Sequence, residues 1–190
     1  VPMMRPMILE FPGDPTCRTL DRQYMFGAGL LVAPVFHESK AEYYLPDGDW
    51  VHLFTGEVRR GGKWYFDELD YFGMPLWIRP NAVIPMGADQ TKVDYDYAAG
   101  IRLVCGKLDG STPRSVDVVD RHGEPLTFFE VSQKGNRVVV TNLDGRADYH
   151  VCLPWATGVE ELEGGGRLKS ASTGVEIVAT SARVSFVWRA

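Results

Sequence analysis

Residues 1–36 read VPMMRPMILEFPGDPTCRTLDRQYMFGAGLLVAPVF and decide how the rest of the chain is interpreted. Their first part, Val1 to Phe11, is an almost continuous apolar run. A half-exposed antiparallel strand alternates apolar and polar side chains, whereas a strand buried on both faces does not. The run therefore predicts a buried strand from Val1 to about Phe11, the last strand of an α/β domain whose other strands lie upstream.

The residues after this run predict one short helix. Asp14 can accept backbone amide hydrogens at a helix start, and Pro15 suits the first helical position. Gly27 favours a helix end. We therefore expect a helix between Asp14 and Gly27, followed by a buried strand from Leu30 to Val35.

From residue 41 onward, short β-type runs alternate with turn residues. EYYL (42–45), WVHLF (50–54) and KWYF (63–66) are separated by Gly, Pro and Asp, and runs of the same kind continue from residue 101 to residue 188. Strands at this spacing are typical of antiparallel sandwiches. The sequence predicts a mainly β fold with two consecutive antiparallel β-sandwich domains, a proximal one at 37–88 and a distal one at 89–190.

Three segments carry a resemblance to a known family: RPMILEFPGDPTCRTLDRQYMFG (5–27), LLVAPV (30–35) and YYLPDGDWVHLFTGE (43–57). They resemble glycoside hydrolase family 31, especially its α-xylosidase branch. In that family a (β/α)8 barrel carries the chemistry, and two β-sandwich domains follow it. The resemblance implies that residues 1–36 are the last strand and short helix of a truncated catalytic barrel.

The resemblance also implies a function for the chain. It would be the C-terminal accessory region of a retaining α-glycosidase of carbohydrate metabolism, an α-xylosidase or α-glucosidase, and would support the upstream barrel structurally. The family's two catalytic Asp residues lie on earlier barrel strands, so no catalytic residue is assigned and the chain alone is expected to be inactive. The alternative is a free-standing carbohydrate-binding module whose tryptophans form an exposed platform.

Two residues are candidates for substrate binding. Active sites of such barrels lie at the C-terminal ends of the strands, where Glu10 and Phe11 are predicted to be. Glu10 could accept a hydrogen bond from a sugar hydroxyl, and Phe11 could line the pocket. The competing interpretation is that Glu10 pairs with an arginine and Phe11 packs under the following loop, with Arg5 as an internal ion-pair partner.

Aromatic residues are concentrated in the predicted proximal sandwich, where they could form a core or a sugar-binding surface. Because side chains alternate along a strand, Tyr43 and Tyr44 should face opposite sides, so at most one of them should lie in the core. The aromatic residues of this region are Tyr43, Tyr44, Trp50, Trp64, Tyr65, Tyr71, Phe72 and Trp77.

Charge and composition exclude several partners. The formal net charge is -5, and basic residues are scattered, which argues against binding to nucleic acid or an anionic membrane. The longest apolar run, Met25 to Phe36, is about 12 residues and falls short of the roughly 20 needed for a membrane span. The expected partners are therefore the upstream barrel and its α-linked oligosaccharide substrate. Exposed apolar surface on the first segment should also make the isolated chain self-associate.

Metal and cofactor sites are not expected. The histidines His37, His52, His122 and His150 are isolated, and Cys17, Cys105 and Cys152 are far apart, without metal-ligand spacing. Three cysteines cannot form a complete disulfide framework, which favours a reducing cytoplasm.

Overall fold

The computed structural model describes residues 2–36, 39–89 and 91–189, so Val1 and His37 lie outside the described residues. Strands account for 48% of the chain and helices for 4%, which confirms the predicted mainly β fold. A one-turn helix, α1 (Met7–Glu10), and a 3-10 helix (Pro15–Arg18) follow the first strand. Neither helix has the length to cross a membrane.

The strands are numbered in chain order. They are β1 (Met4–Pro6), β2 (Tyr24–Phe26), β3 (Leu30–Val32), β4 (Lys40–Leu45), β5 (Asp49–His52), β6 (Val58–Arg60), β7 (Lys63–Glu68), β8 (Leu76–Ile78), β9 (Val83–Met86), β10 (Arg102–Cys105), β11 (Arg114–Val119), β12 (Pro125–Lys134), β13 (Arg137–Asn142), β14 (Tyr149–Leu153), β15 (Gly158–Glu163), β16 (Gly166–Lys169), β17 (Val175–Ala179) and β18 (Arg183–Arg189).

The first half of the chain contains two sheets. Sheet A has the order β1-β2-β3-β8-β5-β6, and a two-stranded ribbon pairs β4 with β7. Every pairing in both sheets is antiparallel. Trp50, Trp77 and Tyr43 are fully buried between these sheets, together with Met7 and Met25 from the first segment. The first 36 residues therefore share a core with the residues that follow them.

The second half packs sheet C, of order β16-β17-β14-β10-β9, against sheet D, of order β11-β12-β13-β18-β15. Burial alternates along β11, where Val116 and Val118 are buried while Asp117 is exposed. One pairing departs from the antiparallel prediction: β10 and β14 run parallel. Parallel neighbours need a long crossover, and here sheet D strands supply it between residues 105 and 149.

The prediction of one buried strand from Val1 to Phe11 is wrong for the described residues. The strand ends at Pro6, has mostly exposed side chains and pairs antiparallel with β2. The chain then turns into α1, where the Phe11 amide donates to the Met7 carbonyl at 2.9 Å. Proline cannot donate a ladder hydrogen bond, which explains why the strand stops there.

The prediction of a helix from Asp14 to Gly27 is also wrong beyond its first turn. The Asp14 side chain caps the 3-10 helix by accepting from the Thr16 amide at 2.9 Å, as its position predicted. The chain then extends into β2, and Gly27 lies in the β2–β3 turn with φ +59°. Pairing of β2 with both β1 and β3 outweighs the helical spacing of its apolar residues.

Sheet pairing crosses both predicted domain boundaries. Strand β3, within 1–36, pairs with β8, and β9, within 37–88, pairs with β10 of sheet C. The halves also touch at Gly56, where a Cβ would lie 2.0 Å from the Pro154 carbonyl oxygen, while the Thr173 hydroxyl donates to the Phe54 carbonyl at 3.0 Å. The boundaries at 36/37 and 88/89 stay predictions, but the segments they separate are joined by hydrogen bonds.

Candidate functional site

The two residues predicted to bind substrate lie together at the end of α1, in contact with two arginines. Arg5, Glu10 and Arg79 form what we call the N-terminal ion cluster. One Glu10 carboxylate oxygen lies 2.5 Å from a terminal nitrogen of Arg5, and the other accepts from Arg79 at 2.9 Å. The side chains of Arg5 and Glu10 are only 14% exposed. Both oxygens of this carboxylate are therefore engaged by cations within the chain.

Phe11 extends the N-terminal ion cluster on its apolar side. The Arg79 guanidinium lies over the Phe11 ring, 4.7 Å from its centroid, and the Trp50 ring centroid lies 6.2 Å from that of Phe11. A guanidinium stacked on an aromatic face is held in place by attraction to the ring electrons. Arg5 also donates to the Gly27 carbonyl at 2.6 Å, which ties the cluster to the β2–β3 turn.

The Glu10 contacts match the competing interpretation, in which Glu10 pairs with an arginine, whereas Phe11 packs against Arg79 and Trp50. They also confirm Arg5 as an internal ion-pair partner. A role for Glu10 and Phe11 in substrate binding stays a prediction. The sequence did not identify Arg79, because the arginine that closes the cluster is 69 positions away from Glu10.

A second polar network lies between sheet A and the ribbon. Arg59 donates to Asp67 at 2.8 Å, to Glu57 at 2.7 Å and to the Tyr43 hydroxyl at 2.7 Å. Burial opposes the charge on Arg59, but these hydrogen bonds outweigh it and raise the Arg59 pKa. Burial, followed by the hydrogen bond to Asp67, raises the pKa of Tyr43. The pKa of each group is raised away from neutral pH, whereas a general acid or base has a pKa near the pH at which it works.

His52 lies beside this network and is held as a neutral ring. Its Nδ1 accepts from the Thr55 amide at 3.2 Å, so its Nε2 carries the proton and donates to the Met74 carbonyl at 3.2 Å. Burial against Trp77 lowers the His52 pKa. This histidine is structural, as an isolated histidine predicted.

Four carboxyl groups of the described chain have a pKa shifted in the direction opposite to that of a glycosidase acid. That acid needs a raised pKa, yet hydrogen bonds lower the pKa of Asp89, Asp109, Asp120 and Asp144. Hydrogen bonds from Ser111 reduce that of Asp109 to about 2. Within residues 2–36, 39–89 and 91–189, no group of three or more potential metal ligands is present either.

The aromatic residues divide between core and surface. Trp50, Trp77 and Trp155 are buried, Trp188 is partly buried, and among the tryptophans Trp64 alone is exposed. A platform made of several exposed tryptophans, as the carbohydrate-binding module requires, is therefore absent.

The expectation that at most one of Tyr43 and Tyr44 is buried is wrong. The two rings do face opposite sides of the ribbon, and Tyr43 lies in the core. Tyr44 is only 7% exposed because the segment around Gln23 covers it. The Gln23 side chain donates to the Tyr44 carbonyl at 2.8 Å and accepts from its amide at 2.7 Å, so it pairs with the strand as backbone would.

An apolar surface lies beside the N-terminal ion cluster. It is formed by Met3, Met4, Ile8, Leu9 and Phe26, of which Leu9 is 65% exposed. We call these five residues the N-terminal apolar face. Groups of exposed apolar side chains often mark sites of protein–protein or ligand contact.

Comparisons with known proteins give the family. Residues 1–84 match the glycosyl hydrolase family 31 C-terminal domain, and residues 96–188 match the C-terminal domain of alpha-xylosidase YicI. The chain belongs to glycoside hydrolase family 31. This confirms the predicted family and its α-xylosidase branch.

Relatives in family 31 are much longer than this chain. Alpha-xylosidase XylQ of Lactiplantibacillus pentosus is 34% identical over 147 residues, which cover 75% of this chain and 19% of that protein. An alpha-xylosidase of Emericella nidulans is 34% identical over 159 residues, which cover 76% of this chain and 20% of that protein. The chain thus spans about a fifth of the length of these two relatives.

A solved structure supports the family 31 fold over nearly the whole chain. The cycloalternan-forming enzyme of Listeria monocytogenes, solved with a pentasaccharide substrate, superposes with a TM-score of 0.76 at 24% identity. The match covers 98% of this chain and 20% of that enzyme. At this identity the likeness concerns the fold alone.

Proposed function

We propose that this chain is the C-terminal accessory region of a retaining α-glycosidase, which holds the catalytic barrel of that enzyme in place and does not turn over substrate by itself. The barrel would be supplied by polypeptide upstream of the chain. The family models matched are both C-terminal domains, and the relatives are about five times as long as this chain.

The N-terminal apolar face is the observation that carries the proposal. Ile8 and Leu9 point outward from α1, immediately beside the N-terminal ion cluster that fixes this segment to sheet A. In the proposed enzyme the last strand of the barrel would continue along β1, and the apolar face would pack beneath its outer helices. Burying such side chains contributes about 25 cal/mol for each Å² removed from water, so this surface favours docking of a partner.

The chemistry would come from the barrel. Retaining glycosidases need two carboxyl groups about 5–5.5 Å apart, one as nucleophile and one as acid and base. In the described chain, by contrast, Glu57 and Asp67 are both ion-paired with Arg59. The substrate would be an α-linked xyloside or glucoside, as the names of the relatives indicate.

We also propose that the parent enzyme is cytoplasmic. Its three cysteines in this chain are free and buried. Free thiols persist in reducing compartments, whereas secreted proteins commonly oxidise them.

A direct comparison of the 190-residue chain with the full-length protein that contains it tests this function. Both are assayed on chromogenic α-xyloside and α-glucoside, and the anomer released first is identified by NMR. We expect turnover with retention of configuration by the full-length protein and none by the chain alone. Turnover by the chain would contradict the accessory role, and release of the β-anomer would contradict the retaining mechanism.

A further inference from the structure

We infer that the outer face of the β4–β7 ribbon is a binding groove for a neutral oligosaccharide chain. The groove is lined by Arg22, Glu42, Trp64 and Phe66, and we call it the ribbon groove. This inference does not depend on the accessory role proposed above, because it concerns side chains that the chain itself supplies.

The aromatic wall of the ribbon groove follows from the register of the ribbon. Trp64 and Phe66 are two residues apart on β7 and therefore share a face, opposite Tyr44 and Glu42 on β4. Trp64 is 45% exposed and Phe66 is 72% exposed. Successive side chains on one face lie about 6.6 Å apart, so the two rings offer separate contacts to a ligand of more than one sugar ring.

Two adjacent concavities flank these rings. One, of about 220 Å³, lies beside Trp64 and is closed by the segment 19–23. The other, of about 350 Å³, lies beside Phe66 and is closed by Pro34 and Phe36. Arg22 and Glu42 line both concavities, so the two concavities adjoin at these side chains.

The wall opposite β7 is held rigidly. Gln23 makes two hydrogen bonds to the Tyr44 backbone, and the Tyr44 hydroxyl donates to Asp14 at 2.9 Å. The Tyr44 ring supports Trp64 from beneath, with ring centroids 5.7 Å apart. A binding site whose walls are already ordered loses little conformational entropy when a ligand enters.

The polar groups of the ribbon groove are available to a ligand. Among the described residues, the side chains of Arg22 and Glu42 have no hydrogen bond or ion pair to another protein group. Arg22 and Lys40 offer donors, and Asp21, Glu42 and Glu68 offer acceptors, so the lining carries charges of both signs.

Exposed aromatic rings next to side chains that donate and accept hydrogen bonds fit a neutral sugar chain better than other ligands. Sugar rings carry C–H groups on a face that can stack on aromatic rings, and hydroxyl groups on the rim that both donate and accept. A nucleic acid or an acidic peptide would meet the carboxylates of Glu42 and Glu68 on a chain of net charge -5. An α-linked glucan such as maltopentaose is therefore the probe of choice.

The first arm of the test is calorimetric titration of the 190-residue chain with maltopentaose and with glucose. We expect binding of maltopentaose, much weaker binding of glucose, and at least about tenfold weaker maltopentaose binding by Trp64→Ala. Trp64→Phe retains an aromatic face and should bind within a few-fold of the wild type. Phe72→Ala removes another aromatic side chain, 89% exposed and outside the ribbon groove, and should bind unchanged.

The second arm uses the full-length protein in native gels that contain soluble starch. The starch should slow the migration of the Trp64→Ala protein less than that of the Phe72→Ala protein. Starch binding elsewhere in the enzyme is common to both variants, so the difference reports on the ribbon groove. Absence of maltopentaose binding to the wild-type chain up to about 10 mM would overturn the inference. Equal migration of the two full-length variants in the starch gel would also overturn the inference, since the groove would then be covered by protein rather than by sugar.

Discussion

The two halves of the chain differ in the burial of their apolar side chains. In sheet D, burial alternates along β13 and along the first part of β18, so that Val138, Val140, Val184 and Phe186 point inward and are fully buried. Sheet A begins instead with a segment whose outward side chains, Leu9 among them, remain exposed beside a cluster of ion pairs. The core between sheets C and D also takes in Val51 and Ile78 from the first half, whereas the N-terminal apolar face stays exposed.

The largest effect should come from the core of the second half. Phe186→Ala removes a fully buried ring between sheets C and D and should lower the free energy of unfolding by about 3–5 kcal/mol. Leu9→Ala, on the N-terminal apolar face, should change it by less than about 0.5 kcal/mol. Urea denaturation followed by circular dichroism measures both. Equal losses would show that the two regions are packed alike.

The N-terminal ion cluster should be the next most sensitive. Glu10→Gln leaves Arg5 and Arg79 without their anion in a mostly buried position and should cost about 2–3 kcal/mol. Asp47→Asn, which breaks an exposed pair with Arg60, is the matched control and should cost less than about 1 kcal/mol. A Glu10→Gln variant as stable as its control would mean that the cluster does not anchor the first segment.

A pH-dependent effect on stability should arise at Glu176, in the second half. Glu176 is buried in sheet C, and although burial opposes its charge, hydrogen bonds from His150 and Lys169 outweigh it and lower its pKa. A carboxyl with a lowered pKa stabilises the fold above its ordinary value, near 4.5, and loses that contribution as the pH falls through the folded pKa. Unfolding temperatures measured from pH 6 to pH 3 should therefore fall more steeply for the wild type than for Glu176→Gln.

The smallest energetic effect concerns association. The isolated chain should self-associate through the N-terminal apolar face, and Leu9→Glu should shift it toward monomer in sedimentation velocity. Phe72→Glu, which changes an exposed ring elsewhere, serves as the control. A wild-type chain that stays monomeric at about 100 μM would contradict self-association through the N-terminal apolar face.

The sequence predicts the fold better in some regions of the chain than in others. Alternation in β11 and turn residues after residue 41 identified most strands, because period-two patterns and Gly, Pro and Asp turns are local signals. The apolar run before Phe11 has no such period, so a strand and a helical turn could not be told apart, and Pro6 proved decisive. The family was recognisable from the segments at 5–27, 30–35 and 43–57.

The candidate sites were less predictable than the fold. Glu10 was identified with an arginine partner, but Arg79 reaches it only through the pairing of β3 with β8. Likewise, Gln23 covers Tyr44 through hydrogen bonds to its backbone, a contact that no sequence spacing indicates. Long-range contacts between polar side chains depend on tertiary packing, which periodicity does not report.

Hydrogen–deuterium exchange of residues 2–11 tests the central claim most directly. The segment is compared in the 190-residue chain and in the full-length protein, with β13 as an internal reference. The account predicts markedly slower exchange of residues 2–11 in the full-length protein and unchanged exchange of β13, because the barrel would cover the N-terminal apolar face. Equal exchange of residues 2–11 in both proteins would contradict it.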